Sequence, residues 1–283
     1  MSVVAALARE KILITATNLP AVPQVLARLG EMLQDVNTGL DQIAALLKRD
    51  AALVARIIRI SNSAFYGGGG QIGAIEEAVN CVGFGEVYRL TGVATTSRLV
   101  DRGLTYYRVD AEPLREHMLY TALASEALAE KCGLDGRVAY TAGLLRALGM
   151  LVLDRVAREL LPPETGYDHK HYDNYGSWEG DVFSLGNCEV AALILGEWRF
   201  PAEIIGAVRE HYLLRPTDYE SHLACLLNLA GWLTTQEKFG LPGERPYWNL
   251  SPRKLACLGL DEAQVRQLGV RVRNEFERLR RSL

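Results

Sequence analysis

Residues 142–149 read Ala142-Gly143-Leu144-Leu145-Arg146-Ala147-Leu148-Gly149, an apolar run interrupted by a single charge. Onward, Leu148, Leu151, Val152 and Val156 keep a helical period as far as Pro162, so the stretch predicts a core helix continuing from Ala142. Backward, Pro113 suits the first turn of a long helix through Met118, Ala122 and Leu128, which Gly133 ends. Beyond Pro162, the polar and aromatic stretch from Pro163 to Gly180 reads as loop. Helical period resumes at Glu189, Pro201 opens a helix faced by Ile204, Ile205 and Val208, and two more helices are predicted near Asp218–Gln236 and Asp261–Arg281.

The N-terminal third has the same period. Val25, Leu26, Leu29, Met32 and Leu33 form one helical face, approached through Leu19-Pro20 and Pro23. Thr38 with Asp41 resembles a capping box ahead of Ile43, Leu46 and Leu47. Asp50 suits the N-cap of a helix faced by Leu53, Val54, Ile57 and Ile58, which Ser61-Asn62-Ser63 and the run Gly67 to Gly70 stop. A short helix runs from about Ile75 to Gly83, and another carries Val87, Leu90, Val93 and Ala94. Only Thr105–Val109 is strand-like, and nothing repeats at a fixed interval. The fold class is therefore all-α, with ten to thirteen helices.

Composition narrows the function classes. The 283 residues suffice for a sizeable core, and a net charge of −3 gives no general attraction to nucleic acid or anionic membrane. No run of about 18 uncharged apolar residues predicts a membrane span, and the N-terminus lacks a signal-peptide pattern, so the expected compartment is the cytoplasm. Cys81, Cys132, Cys188, Cys225 and Cys257 are odd in number and scattered, which reads as small buried apolar residues rather than disulfides or a zinc ribbon.

Two blocks resemble the HDOD family, the HD-related output domains of bacterial signalling. The first joins Leu19-Pro20-Ala21-Val22-Pro23, Ile43 to Asp50 and Leu53 to Tyr66 with Ile72, Ile75, Ala78, Val79 and Gly83. The second joins His117, Ala142 to Gly149, Glu189-Val190, Trp198, Pro201 and His211. The resemblance covers residues 12–213. It implies a multi-helix HDOD fold with an N-terminal helical bundle (12–105) packed on an HD-like subdomain (110–213), followed by a helical extension (214–283). Asp50, Asn62 and Ser63 are family-motif positions. Their default role is capping and loop hydrogen bonding, with a groove between the two halves as the sharper alternative. Arg56 and Arg59 on short helices also allow a helix-turn-helix reading, but the neighbouring Asp35, Asp41 and Asp50 favour a packed bundle.

In catalytic HD hydrolases a His, a His-Asp pair and a later Asp gather divalent metal, which activates a water toward a phosphoester. By the resemblance, His117 matches the first His, Arg146-Ala147 replaces the His-Asp pair, Asn187 stands at a further His and Gly231 at the final Asp, while His211 remains. Two imidazoles without a carboxylate make a poor hard-metal site, and arginine cannot ligate metal. The expectation is a chain with no catalytic residues, no metal and no cofactor. His117, Arg146, Ala147, Asn187 and His211 would then be a vestigial site, with Arg146 either paired to a carboxylate or holding a small anionic ligand.

Other chemistry is weaker. His169-Lys170-His171 between Asp168 and Asp173 could bind a transition metal but reads by default as a solvated loop, and Gly67 to Gly70 lacks a phosphate-loop ending. The arginines from Arg266 to Arg281 read as a salt-bridged or solvated face. The leading function is a non-catalytic regulatory module, a response-regulator-type output or scaffold. Its expected partners are signalling proteins such as a sensor kinase or a receiver or cyclic-nucleotide protein, with no membrane partner and nucleic acid disfavoured. The residues before Leu19 are too few to hold a receiver domain. The alternatives are a divergent metal-dependent HD phosphohydrolase and a DNA-binding regulator.

Overall fold

A computed structural model describes residues 10–12, 14–15, 22–35, 37–62 and 71–282. Leu19-Pro20, Ser63 and Gly67 to Gly70 lie outside these. By its contacts the chain divides into two compact units, Pro20–Arg98 with Asn274–Leu283 and Met1–Leu19 with Leu99–Arg273. The described residues contain helices and no strand. Leu104 and Val109, at the ends of the strand-like segment, form only an isolated antiparallel bridge.

The smaller unit holds α1 (Val22–Gln34), α2 (Leu40–Leu47), α3 (Ala51–Ser61), α4 (Ile75–Val82) and most of α5 (Phe84–Leu99). Its core is drawn from the predicted apolar set and includes Leu26, Leu29, Ile43, Leu47, Leu53, Ile57, Ile75, Val79, Val87 and Leu90, while Val25, Met32, Leu33, Val54 and Ile58 are half-buried. Asp50 caps α3 by accepting from the Leu53 N–H at 3.0 Å, and its carboxylate also pairs with Arg98. The capping box expected at Thr38 and Asp41 shifts by one residue. The helix begins at Leu40, so its third position is Gln42, whose Oε1 accepts from the Gly39 N–H at 3.1 Å. Asn62 closes α3, its side chain donating to the Ile72 carbonyl and accepting from the Ile72 N–H, both at 2.8 Å. These are structural roles for both motif residues.

The larger unit holds α6 (Ala111–Cys132), α7 (Gly136–Leu145), α8 (Leu148–Leu160), α9 (Tyr175–Phe183), α10 (Asn187–Glu197), α11 (Ala202–Glu210), α12 (His222–Gln236) and α13 (Pro252–Leu258). The helix α14 (Glu262–Ser282) belongs to this unit up to Arg273 and to the other beyond it. The core helix predicted from Ala142 to Pro162 is in fact two, broken at Arg146-Ala147. Gly136–Leu160 is long and apolar enough to cross a membrane by length and composition, but 78% of its window is buried within the protein. The stretch read as loop contains α9, whose Tyr175 and Trp178 bury edge-on against Tyr107 at 4.9 and 4.8 Å. Periodicity fails there because the helix is only nine residues long and uses aromatics as its core. Residues 215–273 pack into the larger unit, with α12 against both α6 and α7.

The cysteine reading holds for Cys188 and Cys225, which are buried; Cys132 and Cys257 are half-buried and Cys81 is exposed. Four arginines of α14 are salt-bridged: Arg266 to Glu262 at 2.6 Å, Arg271 to Glu130 at 2.9 Å, Arg280 to Glu277 at 3.7 Å, and Arg273 to Glu237.

At Gly149 the backbones of α8 and α10 approach so closely that a Cβ would lie 1.9 Å from the Asn187 carbonyl oxygen. Gly149→Ala is therefore expected to cost about 3 kcal/mol or more, because backbone must move. Gly180→Ala on α9, where a Cβ meets nothing within 4 Å, is expected to be neutral or stabilising by about 0.5 kcal/mol. Urea unfolding of both variants checks the contrast.

Candidate functional site

The break between α7 and α8 exists where the chain must bury a charge. Arg146 ends α7 with only 1% of its surface exposed, and Ala147, equally buried, starts α8. A guanidinium taken out of water needs a carboxylate and acceptors for its N–H groups. Glu244, in the 3-10 turn Pro242–Tyr247, provides the carboxylate. The pair is bidentate, Nη1 to Oε1 at 2.7 Å and Nη2 to Oε2 at 2.8 Å, the fork geometry that makes arginine–carboxylate pairs strong.

Two imidazoles complete the surroundings. His117 projects from α6 and His211 ends α11, both fully buried. The Nδ1 of His117 lies 2.7 Å from the Phe239 carbonyl, and that of His211 lies 2.7 Å from the Val208 carbonyl. A carbonyl only accepts, so each Nδ1 carries the proton and each Nε2 presents a lone pair. Both lone pairs face Arg146: His211 Nε2 accepts from Nη1 at 3.3 Å, and His117 Nε2 accepts from Nη2. The Trp248 ring lies 5.1 Å from the guanidinium carbon as a cation–π partner. That ring also explains Gly231, where a Cβ would sit 2.9 Å from the indole. Trp248 thus occupies the space that a side chain at position 231 would need.

Burial, helped by the Arg146 charge, lowers His117 to about 4 and His211 to about 3, so both are neutral near pH 7. Burial alone would raise Glu244, but Arg146 outweighs it and holds the carboxyl at about 2. Burial also works against the Arg146 charge, and Glu244 more than restores it. The cluster therefore holds one positive and one negative charge.

A second polar shell extends outward. Tyr212 donates to Glu244 Oε1 at 2.6 Å and receives the Asn187 amide at 3.3 Å. Asn187 does not touch Arg146. It opens α10 and donates from its backbone and side chain to Glu179 at 2.7 to 3.0 Å, while Tyr107 donates to the same carboxylate at 2.6 Å. Burial raises Glu179 to about 7, against the pull of these donors. Beside this shell lies a cleft of about 560 Å³, whose lining includes Glu179, Asn187, Tyr212, Arg215, Asp218 and Tyr247 but not His117, Arg146, Ala147 or His211.

The structure thus brings His117, Arg146, Ala147 and His211 together and sets Asn187 one shell out. It corrects the expectation that the imidazoles lack a carboxylate, since Glu244 supplies one. No sequence signal singled out Glu244 among 34 acidic residues, and Glu179 fell in the stretch read as loop. His169 and His171 are exposed and face only Asp168, His171 at 3.1 Å. Among the described residues no three His, Cys, Asp or Glu side chains gather as a ready metal site. Asp50 and Asn62 belong to the smaller unit and are not part of the cluster.

Comparison with known proteins follows this geometry. The family model described as the HDOD domain matches residues 19–214. A protein of Treponema pallidum (strain Nichols), itself uncharacterised, is 25% identical over 267 residues, 92% of this chain. The chain spans only about half the length of that relative. Among solved structures, an HDOD domain protein of unknown function from Geobacter sulfurreducens is 22% identical with a TM-score of 0.69, covering 98% of each chain. A candidate signal-transduction protein of Marinobacter aquaeolei (20%, TM-score 0.69) is covered over 64% of its length by 97% of this chain. A candidate phosphohydrolase of Shewanella amazonensis (20%, TM-score 0.60) aligns over 98% of its chain and 96% of this one. At these identities the likeness is one of fold.

The pH dependence of stability follows from these shifts. The two histidines titrate lower in the folded chain than their ordinary 6.5, so the unfolded chain binds their protons first. Their contribution is lost as pH falls from about 6.5 toward 4. Glu179 has the opposite sign: raised from 4.5 to about 7, it takes its proton in the folded state first and adds stability as pH falls over that range. Between about pH 6.5 and 4.5 the net is one proton favouring unfolding, a loss of about 1.4 kcal/mol per pH unit. Glu179→Gln removes the opposing group, and the slope should steepen toward about 2.7 kcal/mol per unit. Urea unfolding across that window measures both slopes.

Proposed function

Because the chain belongs to the HDOD domain family, we propose that it is a non-catalytic signal-transduction module that works by binding a partner. One observation carries this reading. The Arg146 guanidinium sits between His117, His211 and Glu244, in the space where a hydrolytic metal and its water would have to lie. Guanidinium has five donors and no lone pair, so it can neither ligate a metal nor lower the pKa of a water as a metal does. The residues present therefore do not fit the metal of HD hydrolases. Burial of Arg146 also keeps substrate from the spot.

Two other readings have less support. The Shewanella neighbour is described as a candidate phosphohydrolase, but the likeness is one of fold, and a fold hosts many functions. A DNA-binding role would draw on the α14 arginines, several of which are engaged by glutamates of the same chain. The cleft is the natural contact point on the larger unit. Its lining sets Glu189, Glu210 and Asp218 against Arg209 and Arg215, which favours a basic group of a protein partner over a small anion. A signalling protein of the sensor-kinase, receiver or cyclic-nucleotide class is the partner that the family implies.

The test is incubation of purified protein with Mn²⁺ or Mg²⁺ and a phosphodiester. The expected outcome is no turnover above the protein-free rate and sub-stoichiometric metal by elemental analysis. Hydrolysis that His117→Ala abolishes would overturn the proposal.

A further inference from the structure

Four side chains at the joint of α12 and α13 form a group separate from the Arg146 centre. On α12, Cys225 and Asn228 are one turn apart; on α13, so are Lys254 and Cys257. The two faces meet. The buried Lys254 ammonium donates to Asn228 Oδ1 at 2.5 Å and to the Asn249 carbonyl. The two sulfurs meet as well. Cys225 Sγ lies 3.7 Å and Cys257 Sγ 3.5 Å from a single acceptor, the carbonyl of Tyr219 in the 3-10 turn Pro216–Glu220, and the thiols hydrogen-bond each other. Arg253 pins the same turn to α13, its guanidinium 4.0 Å from the Tyr219 ring and 2.9 Å from the Pro216 carbonyl. Spacing along the chain hid the pair, since only the packing of α12 on α13 joins the two cysteines.

We infer that Cys225 and Cys257 are a thiol–disulfide pair, oxidised to an intramolecular disulfide by a low-molecular-weight disulfide such as glutathione disulfide, and that the bond fastens the segment presenting Glu244. The order of events follows from burial. Cys257 is half-buried and Cys225 fully buried, so the Cys257 thiolate attacks one sulfur of the reagent, breaking its S–S bond and releasing one thiol. Cys225, as thiolate, then attacks the Cys257 sulfur of the mixed disulfide and releases the second thiol. Two protein thiols are oxidised, one small disulfide is reduced, and the two protons end on the released thiols. Burial pushes the Cys225 thiol up to about 12, which makes the second step the slower one. Burial also lowers Lys254 to about 8, so it still carries its charge at pH 7 and, with Arg253, favours the Cys225 thiolate. The ring that the bond closes runs from α12 to α13 through Glu244 and Tyr247. The partner of Arg146 and a wall of the cleft both belong to that stretch.

The experiment exposes the reduced chain to mixtures of reduced and oxidised glutathione, blocks the remaining thiols with iodoacetamide, and maps the peptides by mass spectrometry without reduction. Expected is one disulfide within each chain, joining Cys225 to Cys257, with a mass about 2 Da lower and reversal by dithiothreitol. In the reduced native chain Cys257 should be alkylated at least about 10-fold faster than Cys225. Cys132, at the end of α6 and near enough to Cys257 to feel its charge, is the competing thiol; Cys132→Ser should leave the disulfide unchanged. Cys225→Ala should retain a glutathione adduct on Cys257, and Cys257→Ala should gain neither adduct nor disulfide at Cys225. The oxidised wild type should melt about 5–10 °C above the reduced form, because the bond closes a loop of about 30 residues. A wild type that forms no Cys225–Cys257 bond, that joins Cys132 to Cys257 instead, that cross-links into dimers, that keeps its adduct on Cys257, or that melts no higher when oxidised overturns the inference. All of these are read on the wild type, so a variant that fails to fold does not shield it.

Discussion

A guanidinium buried to 1% exposure organises the larger unit. Arg146 interrupts a helical run, and its charge is tolerable inside only because Glu244 pairs with both terminal nitrogens. Removing one partner of such a pair costs about 3–5 kcal/mol, since the other is left charged in a poor solvent. The constraint reaches far along the chain. It ties the break between α7 and α8 to a turn about 100 residues later, and it sets neutral imidazoles on α6 and α11 to accept from the two terminal nitrogens. The segment around Glu244 is for this reason a structural member of the larger unit, whatever further role it has.

The pair also sets the electrostatics of its neighbours. With one positive and one negative charge, the cluster has no net charge to attract a ligand, while burial, helped by the Arg146 charge, depresses both histidines. Tyr212 and Asn187 then carry hydrogen bonding outward to Glu179 and Tyr107. A chain of fully engaged polar groups in a low-dielectric interior stiffens and specifies its surroundings. The adjoining cleft is walled by this shell, so a partner bound there would meet Asn187 and Tyr212 rather than the guanidinium.

The fold is shared with proteins described both as signalling and as candidate phosphohydrolases, so architecture does not decide between binding and turnover. At the buried centre of this chain Arg146 presents donors and no lone pair, and with Glu244 it forms an internal salt bridge flanked by His117 and His211.

The helical class was legible from the chain alone because apolar spacing near 3.6 is a local property: Leu53, Val54, Ile57 and Ile58 mark α3, Asp50 its cap and Gly133 the stop of α6, all by interactions within a few residues. Arg146 was legible for the same reason, since a charge inside an apolar run stands in the sequence whatever surrounds it. The break at Arg146 was not, because apolar period runs straight through it and the carboxylate that its side chain meets lies far along the chain. Helix α9 was hidden by its short length and aromatic core. Glu244 was invisible because a buried arginine announces that it needs a carboxylate without naming which. Pairing, burial and the orientation of two imidazoles depend on residues far apart in the chain, and only the tertiary structure brings them to one point.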